Sequence, residues 1–178
     1  MGDPKKPRKK YKNPTKHWEA IRIKEEIKLI KEFGLKRKKE IWKIQGKVRK
    51  FRQQAKKLIG VQTVQSKKEQ KQLLDKLYNL SLIDKNAKLY DVLDLDIKKL
   101  MERRLQSLVF RKKLALTAKQ ARQLIIHGHI YIDKKKLNTP SYIVKREEED
   151  KINSDQKLIQ PKPEVKTEIK KETETVEN

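Results

Sequence analysis

Apolar residues return at spacings of three and four along most of this chain, the pattern of helices with one buried side. The clearest run is Ile41, Ile44, Val48, Phe51, Ala55 and Leu58, which predicts a helix over about 37–58 packing along a partner. Gly60 supplies its stop. Gly34 stops an earlier helix that Thr15 caps and that reaches about Phe33. Ser66 and Glu69 form a capping box for a third helix, with Leu73, Leu74 and Leu77 on its inner side. Residues 91–100 read as a short helical lead, with Asp91, Asp94 and Asp96 near a helix start, where carboxylates suit the dipole.

The stretch 103–144 carries the most information. It predicts two short helices joined by a tight turn, then a small hairpin. At 100° per residue, Met101, Leu105, Leu108 and Val109 share one arc, with Arg103, Arg104, Ser107 and Arg111 opposite. In the second helix Ala118, Ala121, Leu124 and Ile125 face away from Lys119, Gln120, Gln123 and His127. Thr117 and Gln120 make a capping box that leaves free N–H groups at that helix's start. Ile130–Ile132 and the segment 142–144 are rich in β-formers, with a turn at 133–135 and Pro140 in an edge or loop position. From about residue 151 the chain is Glu/Lys/Thr-rich with isolated aliphatics, a composition that predicts a mostly disordered tail. No internal repeat is visible.

The expected fold is mainly α with a small β part. Residues 1–17 form a basic extended arm and 18–100 a helical region. Residues 101–150 form the compact two-helix and hairpin module, and 151–178 the tail.

Charge sharpens the picture. The chain has 48 Lys+Arg against 24 Asp+Glu, a net charge of +24. Residues 147–178 hold ten acidic and six basic side chains, net −4, so residues 1–146 carry +28. Such self-repulsion calls for a polyanion. Nucleic acid is the favoured one, with an anionic membrane or an acidic protein as the other readings. No apolar run approaches the roughly 20 residues of a membrane span, and the start of the chain lacks the apolar core of a secretory signal. Cysteine is absent, which excludes disulfides and thiolate metal sites. A cytosolic protein is expected. The cations of the arm, Lys5, Arg8, Lys9 and Lys10 among them, are either a solvated tail or an arm that orders on RNA, with Tyr11 placed to stack on a base. Lys39, Lys43, Arg49 and Arg52 on the outer sides of the long helix are further candidate contacts.

The residues MERRLQSLVFRKKLALTAKQARQLIIHGHIYID and NTPSYIV resemble the universal small-subunit ribosomal protein four in its archaeal and eukaryotic form. The likeness spans about 92–150, and the opening PKKPRKKYKNPTKHWEAIRIKEE is similar as well. The module by itself also recurs, by resemblance, in pseudouridine synthases, some aminoacyl-tRNA synthetases and a ribosome-rescue protein. The helical amino-terminal half and the overall length point to the ribosomal family. The resemblance implies a primary rRNA-binding constituent of the small subunit, monomeric within the ribosome, that nucleates assembly and lies on the side where mRNA enters. Neighbours implied are other small-subunit proteins, including the ribosomal protein five family. It also implies that Arg103, Arg104, Gln106, Arg111, Thr117, Lys119, Arg122, Gln123, His127 and His129 lie at or near the rRNA. Each has a plainer reading: Arg122 in a surface ion pair, His127 and His129 closing the turn into the hairpin. Lys112 and Lys113 stand where the family often has a glycine. Some members carry a zinc-binding cysteine cluster, which a chain without cysteine lacks, so no metal or cofactor is expected.

An RNA-modifying or accessory protein built on the same module is the alternative. It needs a second, catalytic domain. No Walker A loop, G-x-S-x-G or helical metal-binding histidine pair occurs here, so an enzyme is not expected.

Overall fold

The computed structural model describes Gly2, Lys9 and residues 11–61 and 63–155. Lys5, Arg8 and Lys10 of the arm, and residues 156–178 of the tail, lie outside the described residues, as do the expectations placed on them. The fold is mainly helical with one small antiparallel sheet. Three longer helices come first, α1 (Ala20–Glu32), α2 (Lys38–Ile59) and α3 (Val64–Asn79). Two short ones, α4 (Leu89–Leu93) and α5 (Ile97–Glu102), lead to α6 (Leu105–Arg111) and α7 (Ala118–Ile126). Strands β1 (Ile130–Ile132) and β2 (Lys135–Lys136), helix α8 (Arg146–Glu149) and strand β3 (Ile152–Ser154) complete it.

Two apolar cores divide along this order. The predicted seam of α2 is the heart of the first: Ile41, Ile44, Val48 and Ala55 are buried, with Leu73 and Leu77 of α3 and Val92, Leu95, Leu100 and Met101 of the lead. The second gathers Leu105, Leu108, Val109, Ala121, Ile125, Ile130, Val144 and Ile152. The apolar arcs read from the sequence therefore do face inward. Gly34 ends α1 in the left-handed region at φ +59°, and a Cβ there would lie 2.8 Å from the Ala118 Cβ. The α1–α2 turn thus sits directly on the start of α7.

Local structure differs from the sequence expectation at four places. Helix α1 begins after Glu19, not Thr15. The Arg22 guanidinium donates to the carbonyls of Lys16 and His17, both at 2.9 Å, and holds the preceding residues in a turn. Helix α3 is capped by Thr63, whose hydroxyl accepts from the Ser66 N–H at 3.1 Å, so Ser66 lies inside the helix and donates to the Val61 carbonyl instead. Segment 142–144 does not pair with β1. It runs against the break between α5 and α6, with Leu105 N–H donating to Tyr142 O (2.8 Å) and Val144 N–H to Arg103 O (3.0 Å). The place beside β1 belongs to β3, in the sheet order β2-β1-β3, with Ile132 opposite Ile152. The tail therefore starts later than residue 151: Ile152 is 3% exposed and belongs to the second core.

Candidate nucleic-acid interface

The break between α5 and α6 decides where the arginines go. A single helix through 101–111 would put Arg103 and Arg104 outside, but Arg104 is extended, at φ −74° and ψ 144°. Two residues out of the helix re-aim both side chains inward. This corrects the exposed polar arc read from the sequence. Arg104 is 2% exposed, and its guanidinium donates to Glu40 Oε2 at 2.7 Å. Arg103, also buried, pairs with Glu149 at 2.6 Å and donates to the Val144 carbonyl at 3.3 Å. Gln106 is 1% exposed. Its amide nitrogen donates to the carbonyls of Phe33 (3.0 Å), Gly34 (3.0 Å) and Ala118 (2.9 Å), tying the α1–α2 turn to the start of α7. Arg104 and Gln106 hold the two halves of the chain together, while Arg103 ties the start of α6 to Val144 and Glu149 within the module. Ser107, read as polar-arc, is likewise buried and donates to the Met101 carbonyl at 2.8 Å.

Glu40 is the organising group. Arg122 meets it with both terminal nitrogens, NH2 to Oε1 at 3.0 Å and NH1 to Oε2 at 3.1 Å, while Arg104 takes Oε2 from the other side. Burial opposes its charge, but the hydrogen bonds from Arg122 and Arg104, reinforced by their positive charges, outweigh that and hold the Glu40 carboxyl below the ordinary carboxylate range. The plainer reading of Arg122, an ion pair, is the one the geometry contains. Sequence reasoning missed Glu40, although a signal existed: it is the only carboxylate between Glu32 and Glu69.

Around Glu40 lies a groove of about 720 Å³ between α2 and the module. Its walls carry Lys36, Arg37, Lys39, Lys43, Lys47, Lys50, Arg104 and Arg122 against the single carboxylate of Glu40, with Pro140, Ser141 and Ile143 on the module side. The side chains of Lys36, Arg37, Lys39, Lys43 and Lys50 make no ion pair with another described residue. Free positive charge therefore lines this groove, while its two arginines, Arg104 and Arg122, are neutralised by Glu40. Lys36 precedes the helix predicted over about 37–58 and Arg37 is its first residue, so neither counts among the cations of its outer sides in the sequence.

The remaining sequence candidates are spread over neighbouring surfaces. Thr117 is exposed and caps α7, accepting from Gln120 N–H at 3.1 Å. Gln120 closes the motif one residue early, accepting from the Leu116 N–H. Lys119, Gln123 and His127 are exposed on α7 and its end, and the His127 and His129 rings lie 6.5 Å apart. Arg111 is half-exposed and pairs with Glu102 at 2.6 Å. Arg49 is exposed on the far side of α2, and Arg52 donates to the Leu95 carbonyl at 2.6 Å. Tyr11 packs against Trp42, ring centroids 6.0 Å apart, beside Lys9. Among the described residues no group of three His, Cys, Asp or Glu side chains is arranged to hold a metal ion.

Comparison with known proteins bears directly on this arrangement. The S4 domain model matches residues 103–150, the span of the module. A small ribosomal subunit protein uS4 from Methanothermobacter thermautotrophicus is 50% identical over 152 residues, 85% of this chain and 89% of its own length. The chain belongs to the small ribosomal subunit protein uS4 family. The uS4 proteins of Methanococcus aeolicus and Ignicoccus hospitalis agree, at 49% and 47% identity over 86% and 85% of this chain and 87% and 92% of theirs. The turn between α6 and α7 closes without glycine. Lys113 itself takes the left-handed conformation, at φ +56°. Its N–H donates to the Phe110 carbonyl at 3.0 Å, which closes the turn.

Proposed function

We propose that this chain is a structural, non-enzymatic constituent of the small ribosomal subunit that binds rRNA along the groove between α2 and the module. The observation that carries the reading is the groove's charge: eight cationic side chains against one carboxylate, in a chain whose relatives are uS4 proteins. A-form RNA hides its base edges in a deep, narrow major groove, so a strip of lysines reads backbone path and junction shape. Lysines serve as mobile point charges along that strip. The arginines and Gln106 set its geometry from behind. The exposed side of α7, with Thr117, Lys119, Gln123 and His127, extends the same contact surface. Residues 1–17 act as a basic arm, 18–100 as the helical rRNA-binding region, and the module closes with β3. By resemblance to the family, the chain works in the cytoplasm, nucleates subunit assembly, neighbours the ribosomal protein five family and stands on the side where mRNA enters.

The test is binding of small-subunit rRNA across a salt series. Each neutralised phosphate contributes about −0.7 to −0.9 to the log–log slope, so a slope of several units is expected. Triple replacement Lys36→Ala, Lys39→Ala and Lys43→Ala should reduce that slope by about two units or more. A near-zero slope for the unaltered chain, or no co-sedimentation with small subunits after a high-salt wash, overturns the reading.

A further inference from the structure

Helix α2 carries a glycine in its middle that its capping does not explain. An interior glycine costs a helix about 1 kcal/mol relative to alanine, and Gly46 stands at the ninth of 22 positions. It is not in the buried seam. It lines the cationic groove on one side and, on the other, a second cavity of about 320 Å³. That second cavity is built on two rows of α2 at helical spacing: Trp42, Gly46 and Lys50, with Gln45 and Arg49 alongside. Tyr11 covers one end, its ring tilted 37° to Trp42 at 6.0 Å. Lys9 and Lys12 complete it, and no carboxylate is among its lining residues. The side chains of Lys9, Lys12, Arg49 and Lys50 make no ion pair or hydrogen bond to another described residue. Trp42 is fixed from behind, its indole N–H donating to the buried Glu26 Oε1 at 2.9 Å. Glu26 in turn accepts from Arg22 at 2.7 Å.

An aromatic pair held rigid on one side and ringed by unpaired cations matches the chemistry of an unpaired nucleotide. The rings stack a base, and the cations take the flanking phosphates. A duplex offers no free base face, so the cavity discriminates between strand states, which the open groove does not. Gly46 lines both the groove and the cavity, so a strand that runs from one into the other crosses α2 over it. We propose that Tyr11, Trp42 and Gly46 form a pocket for one unpaired RNA nucleotide at the end of the cationic groove. The inference rests on the rRNA-binding reading of that groove and names the kind of RNA feature it accepts.

The experiment uses the full chain with Trp18→Phe, which leaves Trp42 as its one tryptophan. The probes are a single-stranded ten-nucleotide oligoadenylate, an RNA duplex of equal length and small-subunit rRNA. The oligoadenylate should quench Trp42 fluorescence, and the duplex should not. Tyr11→Ala should weaken binding of the single strand about 5- to 150-fold, the range for one lost base stack, and Tyr11→Phe should keep it. Gly46→Ala is the decisive variant. A purely structural role for this position predicts a higher Tm and unchanged binding, whereas a strand crossing predicts a higher Tm with at least fivefold weaker binding of both single strand and rRNA. Equal quenching by duplex and single strand, or Gly46→Ala with unchanged affinity, overturns the pocket while leaving the groove standing. Loss of all rRNA binding by the unaltered chain would remove both.

Discussion

Glu40 and Arg104 lie sixty-four residues apart in the chain and 2.7 Å apart in space. The pair fastens the long amino-terminal helix to the start of the module, and Arg122 completes the clamp from α7. Arg104→Ala should therefore destabilise the fold by about 3 kcal/mol. That is the low end of the cost of breaking a buried ion pair, since Glu40 retains Arg122. Urea unfolding measures it. A loss below about 1 kcal/mol, within the range of an exposed pair, would mean that Arg104 is not buried as described.

The same carboxylate sets an acid limit. Its pKa is depressed in the folded chain, so its contribution is fully present above the unfolded value near 4.5 and disappears as pH falls through the lower folded value. Thermal melts from pH 7 to pH 3 should show a falling limb below about pH 4.5 that Glu40→Gln flattens, together with lower stability at neutral pH. An identical acid limb in the Gln variant would assign the titration to other carboxylates.

Two turns make opposite forecasts for glycine. Lys113 holds φ +56° with a side chain in place, a conformation that costs an L-residue about 1–2 kcal/mol. Glycine's greater unfolded entropy returns about 0.5–1 kcal/mol of that. Lys113→Gly should therefore stabilise the module slightly, by about 0.5–1 kcal/mol in denaturant titration. Gly34→Ala should do the reverse, and more strongly. Its Cβ would meet the Ala118 Cβ at 2.8 Å and the Ala118 carbonyl carbon at 2.9 Å, in backbone that is itself left-handed.

Truncation distinguishes the last strand from the residues beyond it. Ending the chain at Asp150 removes Ile152 from the second core and leaves one edge of β1 unpaired. The burial of one isoleucine alone is worth about 1.5–3 kcal/mol, and Tm should drop accordingly. Ending it at Asp155 keeps the sheet. Residues 156–178 hold five carboxylates and five lysines, so their removal should leave the salt slope of RNA binding nearly unchanged.

Much of this was legible beforehand because apolar periodicity is a local signal. The seam of α2, the inner residues of α3, the apolar arcs of the module's two helices, the Thr117 cap and β1 all came out of spacing. The failures are equally instructive. Arg103 and Arg104 were placed on an outer face by extending one helix across a break, where Arg103 ends α5 and Arg104 is extended. Periodicity has no memory of a two-residue break. Gln106 and Glu40 act through partners 72 and 64 residues away, and no local pattern encodes such a meeting. Strand β3 was lost because Ile152 sits among charged residues, so composition outvoted the one side chain that packs. The groove was half visible: Lys39 and Lys43 are sequence candidates, but its opposite wall, Pro140, Ser141 and Ile143, comes from a segment assigned to a hairpin.

The sheet order β2-β1-β3 has a consequence for how the molecule comes into being. Synthesis runs from the amino terminus, and helices α1 to α3 can settle their shared core early. Glu40 is made long before either arginine that neutralises it, and Ile130 waits a further 22 residues for Ile152. The second core therefore closes only once residue 152 has been made, so termination shortly before it releases a chain with helices α1 to α8 all present and the core of the module still open.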